Sequence, residues 1–378
     1  MSNPLAVKQN TRNISLDIIR CVAILFVVLN HSVESYFNFL DKDTLLSTDS
    51  LRDSGSLILY TFGRLGVPLF LFITGYLLLH RDFDKPGAIK HFWIHNLLSL
   101  IVTWEIWLIL YNYFLAYMND TVFDVNMWVR QMLFVDEIKI THNWYITMII
   151  AVYFFLPFIA KGIKNVAKPY LYIMLGVCLA TLFVVPSINI FFSTFEIDTL
   201  NLRTTPVFIA TFPVTFILAG HLFYLNKDKK YIPIGLRILI DTVVFAVSFA
   251  LTVYFQVYFH KNGNAYMLWY TFFALFPASW CAFDLLHMIP FKKNIWLIKR
   301  ISICSFGIYL THRPIQMYLE QKVSFFYQTN VIPFNYEKMW ILFAASFALS
   351  YGLSEGLAAI PIVGELLVRV RKKKIHLF

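Results

Sequence analysis

The chain has 378 residues, of which 58% are hydrophobic, 18% aromatic and 14% charged. Soluble domains carry about 25% charged residues, so the composition excludes a water-soluble protein and requires an integral membrane one. The net charge of +10 does not mark a nucleic-acid binder, because the basic residues follow a topological pattern, as the loops show.

Hydrophobic runs long enough to cross a ~30 Å hydrocarbon core lie at 14–37, 55–80, 92–118, 142–160, 169–187, 206–225, 234–259, 265–290, 296–319 and 338–367. The first run exceeds a signal-peptide core and lacks a small-residue cleavage site, so it is expected to stay as a span. With the N-terminus inside, twenty-one of the 32 Lys and Arg fall in inner segments and eight in outer loops. That bias is the one that orients membrane helices. The predicted fold is therefore all-α: a polytopic membrane protein with about ten transmembrane helices and both termini cytoplasmic. It forms one domain over 1–378, with a cytoplasmic N-terminus at 1–13, the ten-helix bundle at 14–367 and a basic cytoplasmic tail at 368–378. The tail, RVRKKK at its core, is expected to meet anionic lipid headgroups. No segment is low-complexity and no internal repeat stands out.

The first span, NISLDIIRCVAILFVVLNHSVESYF, carries Asp17, Arg20, His31 and Glu34. At about 100° per residue, the eleven steps from Arg20 to His31 leave a difference of only about 20°, so both lie on one face. They stand about 16 Å apart along the axis. Ionisable groups cost at least ~2.5 kcal/mol each at mid-membrane and normally face a polar interior, so this helix lines something. Arg64 in the second run and His312 in the ninth match His31 in depth, and the three are candidates to share one cavity. Each has a plainer alternative: a hydrogen bond to a neighbouring helix for His312, snorkelling or pairing with Glu34 for Arg64.

Other features read structurally. Gly63, Gly66, Pro68 and Gly75 make the second run permissive of close packing or a kink. Glu105, Asp241 and Asp284 are expected to pair helices. Cys21, Cys178, Cys281 and Cys304 have no paired spacing and read as free thiols. His91 and His95 are four apart but outside any HExxH context, so no metal is expected there. The segment around 126–134 either lies along the outer membrane surface or is a plain loop.

The chemistry suited to the first span is acid–base or acyl transfer. An imidazole can take a proton from a hydroxyl, or carry an acyl group, near neutral pH. A carboxylate one turn away, as Glu34 is from His31, can orient the ring and stabilise its cation. A guanidinium can bind phosphate or an oxyanion. No Walker, GxSxG, zincin or GxGxxG sequence offers a rival chemistry.

Four ordered segments carry a resemblance. LDIIRCVAILFVVLNH (Leu16–His31), RLGVPLFLFITGY (Arg64–Tyr76), HNWYITMIIAVYFFLP (His142–Pro157) and SFGIYLTHRPI (Ser305–Ile315) resemble the motifs of the acyltransferase-3 family of integral membrane O-acyltransferases. The resemblance implies transfer of an acyl group, commonly acetyl, from cytoplasmic acyl-CoA to a carbohydrate hydroxyl. The acceptor would be a cell-envelope polysaccharide or a lipid-linked sugar at the outer face of a bacterial cytoplasmic membrane. His31 would be catalytic, as base or transient acyl carrier, with Glu34 orienting it. Arg20 would serve the donor side, Arg20 and Arg64 would bind donor phosphate or stabilise charge, and Trp144 and His312 would line the acceptor side. The family's Arg-x-x-Arg at the start of the third span is missing. KHFWIHNLL stands in its place, leaving Lys90, His91 and His95 as candidate donor contacts. No metal is expected, and the partners are acyl-CoA, the sugar acceptor and membrane lipids. The alternative is a transporter or exporter of a glycan or acyl group along the same polar seam, although the paired broken helices common in transporters are not seen.

Overall fold

The computed structural model describes residues 13–36, 50–140, 142–200, 212–228, 232–261, 270–289, 295–327 and 335–370. The helices are α1 (Ile14–Tyr36), α2 (Ser50–Arg64), α3 (Gly66–Leu78), α4 (Ala88–Met118), α5 (Val125–Met132), α6 (Trp144–Ile163) and α7 (Lys168–Ser193). They continue with α8 (Phe212–Asn226), α9 (Ile234–Lys261), α10 (Leu275–Met288), α11 (Trp296–Lys322), α12 (Tyr336–Ala359) and α13 (Val363–Leu367).

Helix α1 starts where the Asn13 side chain accepts from the Ser15 backbone N–H at 3.0 Å, and Asp17 in its first turn suits the positive helix end. It packs against α2, α3, α10, α11 and α12 and so occupies the middle of the bundle. Its apolar core joins Ile19, Ile24 and Val28 to Leu69, Leu71 and Phe72 of α3. By contrast, only 17% of the α9 span is buried, which places α9 at the rim.

Several irregularities follow from proline. Pro68 has no N–H to offer the Arg64 carbonyl and crowds it, and the second run divides there, with α2 ending at Arg64 and α3 starting at Gly66. Helix α7 widens into a π-helical turn over Ala180–Val184, just before Pro186. Helices α3 and α8 cross with backbones touching. A Cβ on Gly75 would lie 1.8 Å from the Ile217 carbonyl oxygen, and one on Gly220 would lie 2.0 Å from that of Phe72. The contact is reciprocal, as an antiparallel pair of small residues makes it.

Seven helices are long and apolar enough to cross a membrane: α1, the continuous stretch Gly55–Leu78, α4, α6, α7, α9 and α12. The chain is thus an all-α, multi-pass membrane protein, but the count of ten read from hydropathy exceeds what helix length and polarity establish. Helices α8 and α10 run for 15 and 14 residues. Helix α11 is 27 residues long yet carries Arg300, His312, Arg313, Gln316 and Glu320. The tenth run is also not one helix: α12 ends at Ala359, Pro361 follows, and Ile362 takes a φ of +66° before the short α13. That last segment tucks against α4. Trp107 Nε1 donates to the Leu367 carbonyl at 2.8 Å and Arg369 Nη2 to that of Asn96 at 3.1 Å, so the tail's first arginine contacts protein. Residues 371–378 lie outside the described ones.

The expected helix pairing holds for Asp284, which receives two hydrogen bonds from Arg237 of α9. The cysteines are free thiols, Cys178 being partly exposed. The 126–134 segment contains the real helix α5, capped by Asp124, whose side chain accepts from Asn126 and Met127.

At one end of the bundle the α3–α4 loop is clamped. Lys164 Nζ donates to Asp82 at 2.8 Å and to Asp84 at 2.7 Å, and Lys161 lies 3.4 Å from Asp84. These bonds hold both carboxyls below their usual range and raise the Lys164 ammonium. Depressed carboxyls stabilise above their unfolded pKa near 3.9 and lose that effect as pH falls; a raised ammonium does so as pH climbs past about 10.4. Protection of the amides of residues 79–87 relative to their intrinsic exchange rates should therefore hold level from about pH 4 to 10, and Lys164→Ala should lower it. At the α3–α8 crossing, Gly220→Ala should destabilise by ~1–3 kcal/mol through overpacking. Gly162→Ala, where the added carbon meets nothing within 4 Å, should leave the melting temperature in detergent unchanged.

Candidate active site

The last turns of α1 project Asn30, His31 and Glu34 from one face, as three- and four-residue helical spacing dictates. Glu34 is the centre of the group. Its Oε2 lies 2.7 Å from His31 Nδ1, and its Oε1 accepts from Asn30 Nδ2 at 2.7 Å. Arg64 Nη2 approaches the same Oε1 at 3.7 Å. Because a carboxylate only accepts, His31 Nδ1 carries the proton in this arrangement, and Nε2 is left as the ring's acceptor.

Arg64 sits at the α2–α3 break and is 5% exposed. Its guanidinium donates to the Tyr60 hydroxyl, one turn earlier. It also lies 4.5 Å from the Tyr60 ring centre and 5.1 Å from that of Tyr270. Two aromatic faces and one carboxylate are what make a buried guanidinium tolerable at this depth.

Two more imidazoles complete the site. His312 of α11 is fully buried, its ring centre 5.3 Å from that of His31. Its Nδ1 donates to the backbone carbonyls of Tyr309 and Ile308 at 2.7 and 3.1 Å, so its Nε2 is an acceptor, buried without a partner among the described residues. His142, just before α6, lies 6.1 Å from His31 and 4.9 Å from His312 between ring centres. Both of its ring nitrogens are buried and unpartnered among the described residues. An unsatisfied buried polar atom costs ~1–3 kcal/mol, so this cluster presents acceptor nitrogens that a donor-bearing ligand would satisfy. Among the described residues, no three His, Cys, Asp or Glu side chains are arranged to hold a metal ion.

The frame around the imidazoles is fixed. Tyr309 donates its hydroxyl to the His142 carbonyl. Pro314, inside α11, leaves the Leu310 carbonyl without its helical donor, and the Tyr111 hydroxyl of α4 supplies one at 2.7 Å. Beyond His31, Ser35 Oγ lies 2.6 Å from Glu320 Oε1 and accepts from Arg313 Nη1 at 2.9 Å.

The structure therefore brings His31, Glu34, Arg64 and His312 together. Trp144 lies one ring further out, 5.5 Å from Tyr270 between centres, so Tyr270 links it to Arg64. Arg20 is elsewhere on α1. It donates to Asp17 at 3.2 Å, and Asp17 also accepts from Ser302 of α11 at 2.7 Å. Lys90 is exposed at the start of α4, about 31 Å along that helix from Tyr111, and does not join the cluster. His91 and His95 stack on each other nearby, ring centres 4.1 Å apart.

Sequence reasoning did not single out His142, Asn30, Tyr60 or Tyr270. His142 opens one of the four motif segments, Asn30 adjoins His31, and Tyr60 lies one turn before Arg64, so each had a local signal. Tyr270 had none, because only the fold places it under Arg64. Chemically, an imidazole whose Nδ1–H is held by a carboxylate, with Nε2 available, is suited to take a proton from a hydroxyl.

No curated protein and no solved structure matches the chain. The Acyltransferase domain model of the acyltransferase-3 group matches residues 13–357, a span that includes every member of the imidazole and carboxylate cluster, and the chain belongs to that family.

Proposed function

We propose that this protein is an O-acyltransferase of the bacterial cytoplasmic membrane, moving an acyl group, most simply acetyl, from cytoplasmic acyl-CoA to a hydroxyl of a cell-envelope carbohydrate. The observation that carries this reading is the His31–Glu34 pair, 2.7 Å apart, set among two further imidazoles within the acyltransferase domain. Family membership favours group transfer over the transport alternative.

On this reading α8, α10 and α11 also cross the bilayer, giving ten crossings with both termini cytoplasmic. The inner excess of Lys and Arg supports that orientation. Arg20 then lies toward the cytoplasmic mouth and His31 toward the outer half, on one face of α1. The donor's phosphates meet the cytoplasmic charges, with Arg20 and the exposed Lys90 as candidates, and its thioester extends toward His31. His31 Nε2 takes the proton of the acceptor hydroxyl as the oxygen attacks the thioester carbonyl. The carbon–sulfur bond breaks, and the proton passes to the departing thiolate, giving an ester and free CoA. Glu34 holds the ring and balances its cation, while Arg64, 3.7 Å away, helps hold that carboxylate in place. Trp144 and Tyr270 offer flat faces to a sugar, and His312 and His142 offer acceptor nitrogens to its other hydroxyls.

The test is transfer of label from acetyl-CoA to envelope glycan by the purified protein in lipid nanodiscs. His31→Ala should lower the rate by about 10²–10⁴, the usual contribution of a positioned base; transfer as fast as the parent's would refute the assignment. Arg20→Ala should raise KM for acyl-CoA by about tenfold or more, the equivalent of one lost charge-assisted hydrogen bond. KM for the acceptor should not change.

A further inference from the structure

On the side of the bundle formed by α7, α8, α9 and α10, two cavities adjoin and share Asp241 and Trp280 as wall residues. The first, about 270 Å³, lies at the Arg20 end of the bundle and sets Tyr172, Asn226, Arg237, Asp241 and Asp284 among apolar walls. The second, about 490 Å³, runs toward mid-bundle and is apolar, lined by Leu179, Phe183, Val244 and Phe276 among others. Together they form one groove with a charged end and a greasy end.

The groove opens sideways. Its wall residues Ile240, Val244 and Val184 are 44%, 37% and 43% exposed, and only 17% of the α9 span is buried. In a membrane, an apolar opening on an outer helix face meets lipid.

The charged end has a defined chemistry. Arg237 donates through Nε and Nη2 to the two oxygens of Asp284 at 2.8 and 2.5 Å, which leaves its Nη1 hydrogens for another acceptor. Asp241, one helical turn further on, is 8% exposed, and its Oδ2 is buried with no hydrogen-bond partner among the described residues. A buried carboxylate oxygen without a donor is costly. Asp241 and Asp284 stand side by side and share one guanidinium, so a cationic donor beside Asp241 would let both carboxyls carry charge, with an anion on Arg237 completing the pair.

We infer that this groove binds one phospholipid of the adjacent leaflet whose headgroup carries both a phosphate and a primary amine. Its phosphate accepts from Arg237, its ammonium donates to Asp241, and its acyl chain lies along Val244, Phe183 and Phe276. In the orientation proposed above this is the cytoplasmic leaflet. The binding itself does not depend on the acyl-transfer reading, and its test uses no activity measurement. A phosphatidylglycerol headgroup offers hydroxyls but no cation for Asp241. A phosphatidylcholine headgroup offers a cation with no N–H to donate.

The full chain, reconstituted in nanodiscs of equal parts phosphatidylethanolamine, phosphatidylglycerol and phosphatidylcholine, is extracted into mild detergent, and its retained lipid is read by native mass spectrometry. One phosphatidylethanolamine per chain is expected. Asp241→Asn should reduce its preference over phosphatidylcholine by about tenfold, the equivalent of ~1.4 kcal/mol. Val244→Trp, which fills the apolar arm, should remove the retained lipid at an unchanged melting temperature. Retention of phosphatidylglycerol, phosphatidylcholine or no lipid by the parent overturns the inference. So does retention by Val244→Trp equal to the parent's, or selectivity unchanged in Asp241→Asn.

Discussion

Glu34 is held by three different donors at a depth where a free carboxylate would not persist. Asn30 satisfies one oxygen, His31 the other, and Arg64 supplies the opposite charge. Remove the carboxylate and Arg64 is left as a buried cation between two aromatic rings, while the His31 ring loses the acceptor that fixes its Nδ1–H. Both the electrostatics of the site and the tautomer of its central imidazole depend on this one group. Since Asn30, His31 and Glu34 lie on a single helical face, most of the constraint is local to α1. Arg64 is the contribution from outside, and it ties α1 to α2.

Prolines place the other polar groups. Pro68 ends α2 at Arg64, which frees the guanidinium from a regular helical environment and turns it toward Glu34 and Tyr270. Pro314 strips the Leu310 carbonyl of its helical donor one turn before it, and Tyr111 reaches across from α4 to satisfy that oxygen. In hydrocarbon, an orphaned carbonyl must find a partner within the protein, so each break in a helix also becomes a tie between helices. Here the ties converge on the segment of α11 that presents His312 and on the backbone of His142.

Much of this was legible in the sequence because it is local. The eleven-residue spacing of Arg20 and His31, the three-residue spacing of His31 and Glu34, and the four ordered motifs all survive without tertiary information. What was not legible depends on chain-distant packing. Tyr270 lies about two hundred residues from Arg64 in sequence, and nothing near it in the chain marks it as a platform. His142 was visible as a letter in a motif, but its closeness to His31 and His312 comes from the tie between its carbonyl and Tyr309. The bounds of the last run were not legible for another reason. Hydropathy sees apolar runs but not helix ends, so Pro361 and the positive φ at Ile362 divide a run that composition alone left whole.

The seam between α1 and α11 constrains how a substrate could reach His31. It is closed along its length by Asp17 with Ser302, by Ser32 with Gln316 at 2.9 Å, and by Ser35 with Arg313 and Glu320. A ligand entering there would have to break several buried hydrogen bonds at once, each unsatisfied group costing ~1–3 kcal/mol. The opposite flank of His31 is different. There the neighbours are Arg64, Tyr270 and Trp144, aromatic faces and a guanidinium rather than a laced helix pair, and the Glu34 side chain keeps 23% exposure. Flat rings of this kind suit the apolar faces of a sugar. On the proposed reading, the acceptor therefore approaches His31 from the Trp144 side rather than through the laced α1–α11 seam.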